Sequence, residues 1–247
     1  NIANRLVSNF GFTVYQDGKG ENVFSKGDVQ LIHIASDILD LRQIDGYNLV
    51  ESIICISRHS SESRRPTLTA HIPGNPGPHA GLGGLPRALA WADPYRLKSA
   101  LTGLQEAACQ FKLNEYSVSL EATHHGPTEL ERPILFVEIG STKEQWSDPR
   151  AGEAAATATW KAATKPINGK PVVGFGGGHY APKHTTKVTT TEFAVGHILA
   201  DYFFENYDPQ IVRQAFKKTI GGCDTAIIDW KGLKSHSRKN LVSSLEE

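Results

Sequence analysis

Three Asp-Pro dipeptides set the architecture of this chain. Each opens a segment whose apolar residues recur at helical spacing: DPYRLKSALTGLQEAACQF (93–111), DPRAGEAAATATWKAAT (148–164) and DPQIVRQAFKKT (208–219), the last stopping at Gly221-Gly222. Asp caps the exposed N–H groups of a first turn, and Pro at the first helical position has its φ already set. NIANRLVSNF at the start reads as a further helix, and another is expected over 191–204. Between the helices lie short runs rich in Val and Ile: DVQLIHIA (28–35), LVESIICIS (49–57), YSVSLEA (116–122), PILFVEI (133–139), PVVGF (171–175) and DTAIIDW (224–230). Strands that alternate with helices imply an α/β fold, a mostly parallel or mixed sheet flanked by helices on both faces. Several of the runs are almost continuously apolar, as a sheet covered on both sides requires.

A chain of 247 residues suits one domain, 1–247, with a sizeable core. The segment IPGNPGPHAGLGGLPRALAWA (72–92) is too rich in Gly and Pro for a regular element, so it is expected as a long loop. The 39% hydrophobic content excludes disorder, and 26 basic against 26 acidic side chains exclude a global field that would drive the chain onto nucleic acid or membrane. Cys55, Cys109 and Cys223 read as thiols in a reducing compartment. With no long apolar run and no leader-like start, a cytoplasmic protein without membrane contact is expected. The chain opens without methionine directly on its first helix, so a preceding strand is expected to be missing.

The reactive residues cluster after the strands. Arg58-His59-Ser60 follows one, Thr123-His124-His125-Gly126-Pro127 another, Gly140-Ser141 a third and Gly176-Gly177-Gly178-His179 a fourth, while His71 ends the short run PTLTA. In parallel sheets the loops at the carboxyl edge converge, so this pattern points to an active site there. His59, His124 and His179 read as acid–base groups or metal ligands. His33, His79 and His236 read as surface or core residues, and His184 is open between the two. Adjacent His124 and His125 face one site only across a turn, which Gly126-Pro127 favours. Glu121 and Glu138 are costly to bury unless paired, protonated or metal-bound, and otherwise sit on a solvated strand face. The glycines 176–178 lack a P-loop ending and instead suit oxyanion N–H donors, with Pro182 arguing against a helix directly after them. Lys183 and Lys187, Lys231 and Lys234, and Arg58 belong to local basic clusters that are either solvated faces or a footprint for a polyanion.

These residues carry a resemblance. SRHSS (57–61), HIPGNPGP, EATHHGPTE (121–129), FVEIGST (136–142), GFGGGHYAPKH (174–184), GHIL (196–199) and DWKG (229–232) together resemble the archaeal and plant type of D-aminoacyl-tRNA deacylase, from the first residues nearly to the last. The resemblance implies a fold related to the phosphorylase and peptidyl-tRNA-hydrolase-like group. It also implies hydrolysis of the ester between a D-amino acid and tRNA, zinc as cofactor, a monomer, and a proofreading role in translation. By motif match it carries over His59, His71, Glu121, His124, His125, Glu138, His179 and His197, with Ser60 and Ser141 behind them.

The expected chemistry is a zinc-assisted ester hydrolysis, with the pKa of water lowered towards ~7. His124, His125 and His179 form the ligand pool, Glu121 or Glu138 the base or ligand orienter, and His59, His71 and Ser141 further catalytic candidates. Gly176, Gly177, Gly178 and His197 are expected around the oxyanion or substrate. A metal-free version uses His124 or His179 as general base. Two rivals remain: another metallohydrolase or phosphorylase-like enzyme on a nucleoside or peptide, and a tRNA-binding module without catalysis.

Overall fold

The computed structural model describes residues 2–16, 22–34, 38–39 and 50–246. Helix α1 (Ile2–Phe10) precedes an antiparallel meander of β1 (Thr13–Gln16), β2 (Asn22–Lys26) and β3 (Val29–Ile32). Then come β4 (Ile53–Ser60), β5 (Thr67–His71), the two-residue strands β6 (Gly74–Asn75) and β7 (Ala88–Leu89), α2 (Pro94–Gln110), β8 (Ser117–Leu120) and β9 (Ile134–Ser141). The remainder is α3 (Lys143–Ser147), α4 (Pro149–Thr164), β10 (Lys170–Phe175), α5 (Pro182–Thr190), β11 (Phe193–Leu199), α6 (Pro209–Lys217), β12 (Thr225–Ile228) and α7 (Ser235–Glu246). Ala35 and Leu49, the outer ends of two expected strands, lie outside the described residues.

All three Asp-Pro starts are realised. The Asp93 carboxylate accepts from the Tyr95 and Arg96 N–H groups, Asp148 from Arg150 and Asp208 from Gln210. Leu97, Leu101 and Leu104 of α2 are fully buried one and two turns apart, each worth about 1.5–3 kcal/mol relative to exposure. α2 crosses the Ala-rich α4 so closely that a Cβ on Gly103 would stand 2.9 Å from the Ala158 Cα.

Two expectations about helices fail. Residues 193–199 form the buried strand β11, followed by a 3-10 turn at Asp201–Asn206. A short apolar run is compatible with either element, and the parallel pairing of β11 with β10 decides it. Pro182 begins α5 rather than preventing it, because the first helical position has no intrahelical use for an N–H.

The sheets are mixed. β4 pairs parallel with β9 and β5 parallel with β8, but β5 runs antiparallel to β9, giving the order β4-β9-β5-β8. A parallel sheet β11-β10-β12 lies beside it, joined where the Thr123 N–H donates to the Ile198 carbonyl at 2.8 Å. Period-two alternation sorts the side chains of the larger sheet. Leu68, Ala70, Leu120, Val137 and Ile139 join the core under α2 and α4. Thr69, His71 and Glu138 point the other way, since Thr69 lies directly opposite Glu138 in the register. Among the described residues no helix is long and apolar enough to cross a membrane.

Candidate active site

The antiparallel seam moves the site from the expected carboxyl edge to the face of the sheet. Ser57 stands opposite Glu138, and His59 follows two residues later on the same face of β4. His71 lies two residues beyond Thr69 on β5, and Glu121 is the next residue after β8, whose Leu120 pairs with Ala70. Four chain segments thus present alternate side chains to one spot. His124 and His125 enter from the turn after β8, where His125 takes a left-handed backbone (φ 48°) and the two rings come within 4.4 Å. His179 enters from the loop after β10.

Glu121 is the centre. Its Oε2 lies 3.4 Å from His71 Nδ1, 3.5 Å from His179 Nε2 and 3.7 Å from His124 Nε2, while Oε1 lies 3.5 Å from His59 Nδ1. The carboxylate is 1% exposed, yet no well-formed hydrogen bond reaches either oxygen, and His71 Nδ1 is equally unpartnered. Proton bookkeeping explains why. His124 Nδ1–H donates to the Ala122 carbonyl (2.8 Å) and His125 Nδ1–H to the Gly126 carbonyl (2.6 Å), which leaves bare Nε2 lone pairs. His71 Nε2 must then donate across 3.1 Å to His125 Nε2, so its own bare Nδ1 faces Glu121. Lone pairs of two imidazoles and a carboxylate aimed at one another repel unless a metal cation lies between them or the carboxyl itself carries a proton. The donor set therefore fits a metal ion. Ligand atoms of His71, His124 and His125, of His59, Glu121 and His179, and of His71, Glu121 and Glu138 each lie within 4.8 Å of one another.

The electrostatics agree. Burial, then the neighbouring imidazoles, pulls His71 well below its ordinary value and takes His124 down to about 2; burial and His59 take His179 to about 4. Burial also lowers His125, against an opposing pull from the Gly126 carbonyl and Glu138. These rings are held neutral, the ligand form. Burial and the Glu138 charge push the Glu121 carboxyl well above the carboxylate range. For His59, burial is outweighed by the hydrogen bond to Glu138 and the charges of Glu121 and Glu138, and its net shift is upward.

The structure thus brings together His59, His71, Glu121, His124, His125, Glu138 and His179. Others fall elsewhere. Ser141 is buried and its Oγ donates to the Arg65 carbonyl at 2.7 Å, outside the histidine cluster's contacts. His197 is fully buried, with Nδ1 3.2 Å from Thr123 Oγ1 and Nε2 3.1 Å from the Ala90 carbonyl, so both ring nitrogens already have partners within the fold. The Gly176 and Gly177 N–H groups donate to the Leu199 and Gly232 carbonyls, which removes them as oxyanion donors; Gly178 faces open space. Of the basic residues, Lys183 pairs with Asp229, Lys234 with Asp201 and Glu205, and Arg58 lies over Trp146, while Lys187 and Lys231 are exposed. Two partners were not anticipated. The Tyr180 hydroxyl lies 3.1 Å from His59 Nε2, and Ser57 Oγ donates to Glu138, a pairing that strand spacing from His59 signals.

Fold and site together define a mixed α/β protein with a buried carboxyl group ringed by neutral imidazoles, side chains that could hold a metal ion. A family model described as D-aminoacyl-tRNA deacylase matches residues 47–247. The chain belongs to that family. It is 42% identical over 233 residues to a D-aminoacyl-tRNA deacylase of Methanosarcina mazei, covering 94% of this chain and 75% of that relative. It is 38% identical to one of Thermococcus onnurineus, covering 100% and 92%. The crystal structure of a conserved protein of unknown function, AF0625, superposes with a TM-score of 0.89 at 31% identity, over 99% of this chain and 86% of that one.

Proposed function

We propose that this chain hydrolyses the ester of D-aminoacyl-tRNA, releasing the free D-amino acid and tRNA, and so acts in translation quality control. We read residues 1–247 as one catalytic unit that works as a monomer in the cytoplasm. The carrying observation is Glu121: a carboxyl group buried with no well-formed hydrogen bond among His59, His71, His124 and His179. Imidazole with carboxylate suits zinc, and His71, His124, His179 and Glu121 are the residues that would hold it, while His125, whose Nε2 takes the His71 N–H, would orient His71 rather than bind the ion. Bound there, zinc would polarise the ester carbonyl and lower the pKa of water.

The remaining residues divide the work around that centre. His59 stands between two carboxylates, its Nδ1 3.4 Å from Glu138 Oε2 and its Nε2 on the Tyr180 hydroxyl. Its raised pKa and its half-open neighbour suit a group that takes the proton from the attacking water and returns it to the departing ribose oxygen. Glu138, fixed by Ser57, orients that imidazole and offsets its positive charge. Gly178 leaves room for the ester to approach beside His179.

The test is deacylation of matched D- and L-aminoacyl-tRNA, with and without a chelator and with zinc restored. Turnover of the D ester that is lost on chelation and regained with zinc supports the reading. Undiminished turnover after chelation removes the metal, and no turnover of the D ester under any condition removes the activity. His124→Ala should abolish hydrolysis while tRNA binding persists.

A further inference from the structure

Outside the histidines the site opens onto a rim built from three segments bonded to one another. The Gly177 N–H donates to the Gly232 carbonyl, and the Gly177 carbonyl accepts from the Asp201 N–H, both at 3.0 Å. The Lys234 N–H donates to Asp201 Oδ1 at 2.8 Å, and the Asp229 carboxylate accepts from the Gly232 N–H at 3.0 Å and from the Lys183 ammonium at 2.5 Å. His179, two residues beyond Gly177, is on the inner side of this rim and its side chain is 36% exposed, so the site opens here.

Two large aromatic side chains stand on the rim. Tyr202 is 43% exposed and Trp230 49%, and among the described residues they are the exposed large apolar side chains that are aromatic. The Arg238 guanidinium lies 5.1 Å above the Trp230 ring, and its Nε–H is held by the Leu233 carbonyl at 3.1 Å. A cation fixed against one face of the indole sets the ring's orientation and leaves the other face to solvent. Tyr202 is within electrostatic reach of the centre: partial burial first, and the Glu121 charge second, raise its hydroxyl to about 12. Lys231, next to Trp230, is exposed and among the described residues engages no carboxylate.

We propose that Tyr202 and Trp230 form the stacking platform for the unpaired 3′-terminal bases of the RNA substrate, with Lys231 supplying charge to its phosphates. The proposal rests on the RNA-ester reading above. An ester at the 3′ end of an RNA reaches a recessed centre only if the last nucleotides leave the duplex, and bases so freed need π faces to replace the stack they lost. Open aromatic faces beside an uncompensated ammonium at the mouth of the site are what such an end requires. A protein partner would also use aromatic anchors, but it would not discriminate RNA ends.

The test uses the full chain and an RNA hairpin with a short unpaired 3′ end, compared with the same hairpin ending blunt, by fluorescence anisotropy at fixed salt. The unpaired end is expected to bind more tightly. Trp230→Ala and Tyr202→Ala should each weaken it by about 5- to 100-fold, the loss of one stacked base, and leave the blunt hairpin unaffected, while Trp230→Phe retains most of the affinity. Zinc content and Tm of the variants, equal to those of the parent, exclude a folding defect. Equal affinity for the two hairpins, or Ala variants that bind the unpaired end as the parent does, overturns the platform. Discrimination of the unpaired end without hydrolysis of D-aminoacyl-tRNA would leave the platform standing and remove the ester reading instead.

Discussion

Replacing Glu121 by Gln should stabilise this protein without metal and cut the stabilisation that metal adds. The side chain is 1% exposed, both oxygens lack well-formed hydrogen bonds, and bare nitrogens of His71 and His124 face it at 3.4 and 3.7 Å. Leaving a buried polar group unsatisfied costs about 1–3 kcal/mol, and more when it is charged. Burial and the Glu138 charge raise this carboxyl well above the carboxylate range. An amide of the same shape is uncharged at every pH and able to donate to those nitrogens, so it should stabilise the chelated variant by about 1–3 kcal/mol at alkaline pH, where the parent carboxyl is ionised, and by less as the pH falls. For a chain of this size that is a rise of roughly 2–12 °C in Tm. Zinc should offset that gain. Metal bound at about 1,000 times its Kd stabilises the native chain by about 4 kcal/mol, and losing a carboxylate contact weakens binding by at least roughly 10- to 100-fold, about 1.4–2.7 kcal/mol. Thermal unfolding by circular dichroism, in chelator and in saturating zinc, reads both arms. If the chelated Gln variant melts below the chelated parent, the carboxylate is satisfied by the protein alone and the case for a cation among these side chains fails.

Acidification should destabilise the fold through His197, which burial holds down to about 3. Its folded pKa lies below the unfolded 6.5, so its contribution is complete above pH 6.5 and drains away as pH falls towards 3, about 2 kcal/mol by pH 5. His197→Gln should flatten the fall of urea-unfolding free energy between pH 7 and 5 by up to that amount; an unchanged slope refutes it. Gly103→Ala should cost about 1–3 kcal/mol, because overpacking against the Ala158 backbone at 2.9 Å outweighs the helix-propensity gain of about 1 kcal/mol. An increase in the urea midpoint would show that the two helices part freely.

Local chemistry made the helices legible: an Asp-Pro cap depends on two residues and survives any tertiary context. β11 was not legible, because FAVGHIL is apolar throughout and its identity as a strand comes from pairing with β10. Nor were β1 and β2, whose mixed polar composition leaves only a weak alternation. At the site, seven charged or imidazole residues could be named from motifs and strand ends, while their meeting point could not. The antiparallel contact of β5 with β9 puts it on a sheet face, and no residue in either strand announces that direction. His197 shows the converse limit. A buried histidine satisfied by Thr123 and Ala90 reads in the sequence like one that binds substrate.

The seam between β9 and β5 also fixes when the centre comes into existence. His59 and Glu138 belong to one pair of strands, His71 and Glu121 to the other, so the groups that would handle the proton and the groups that would grip an ion arrive separately, and neither pair alone makes a working centre. The residues that would hold an ion come from β5, the turn after β8 and the loop after β10, so a bound ion would clasp the two sheets where Thr123 and Ile198 already join them. Withdrawing it would leave facing lone pairs pressed together across that joint, which is where a demetallated protein should first come apart.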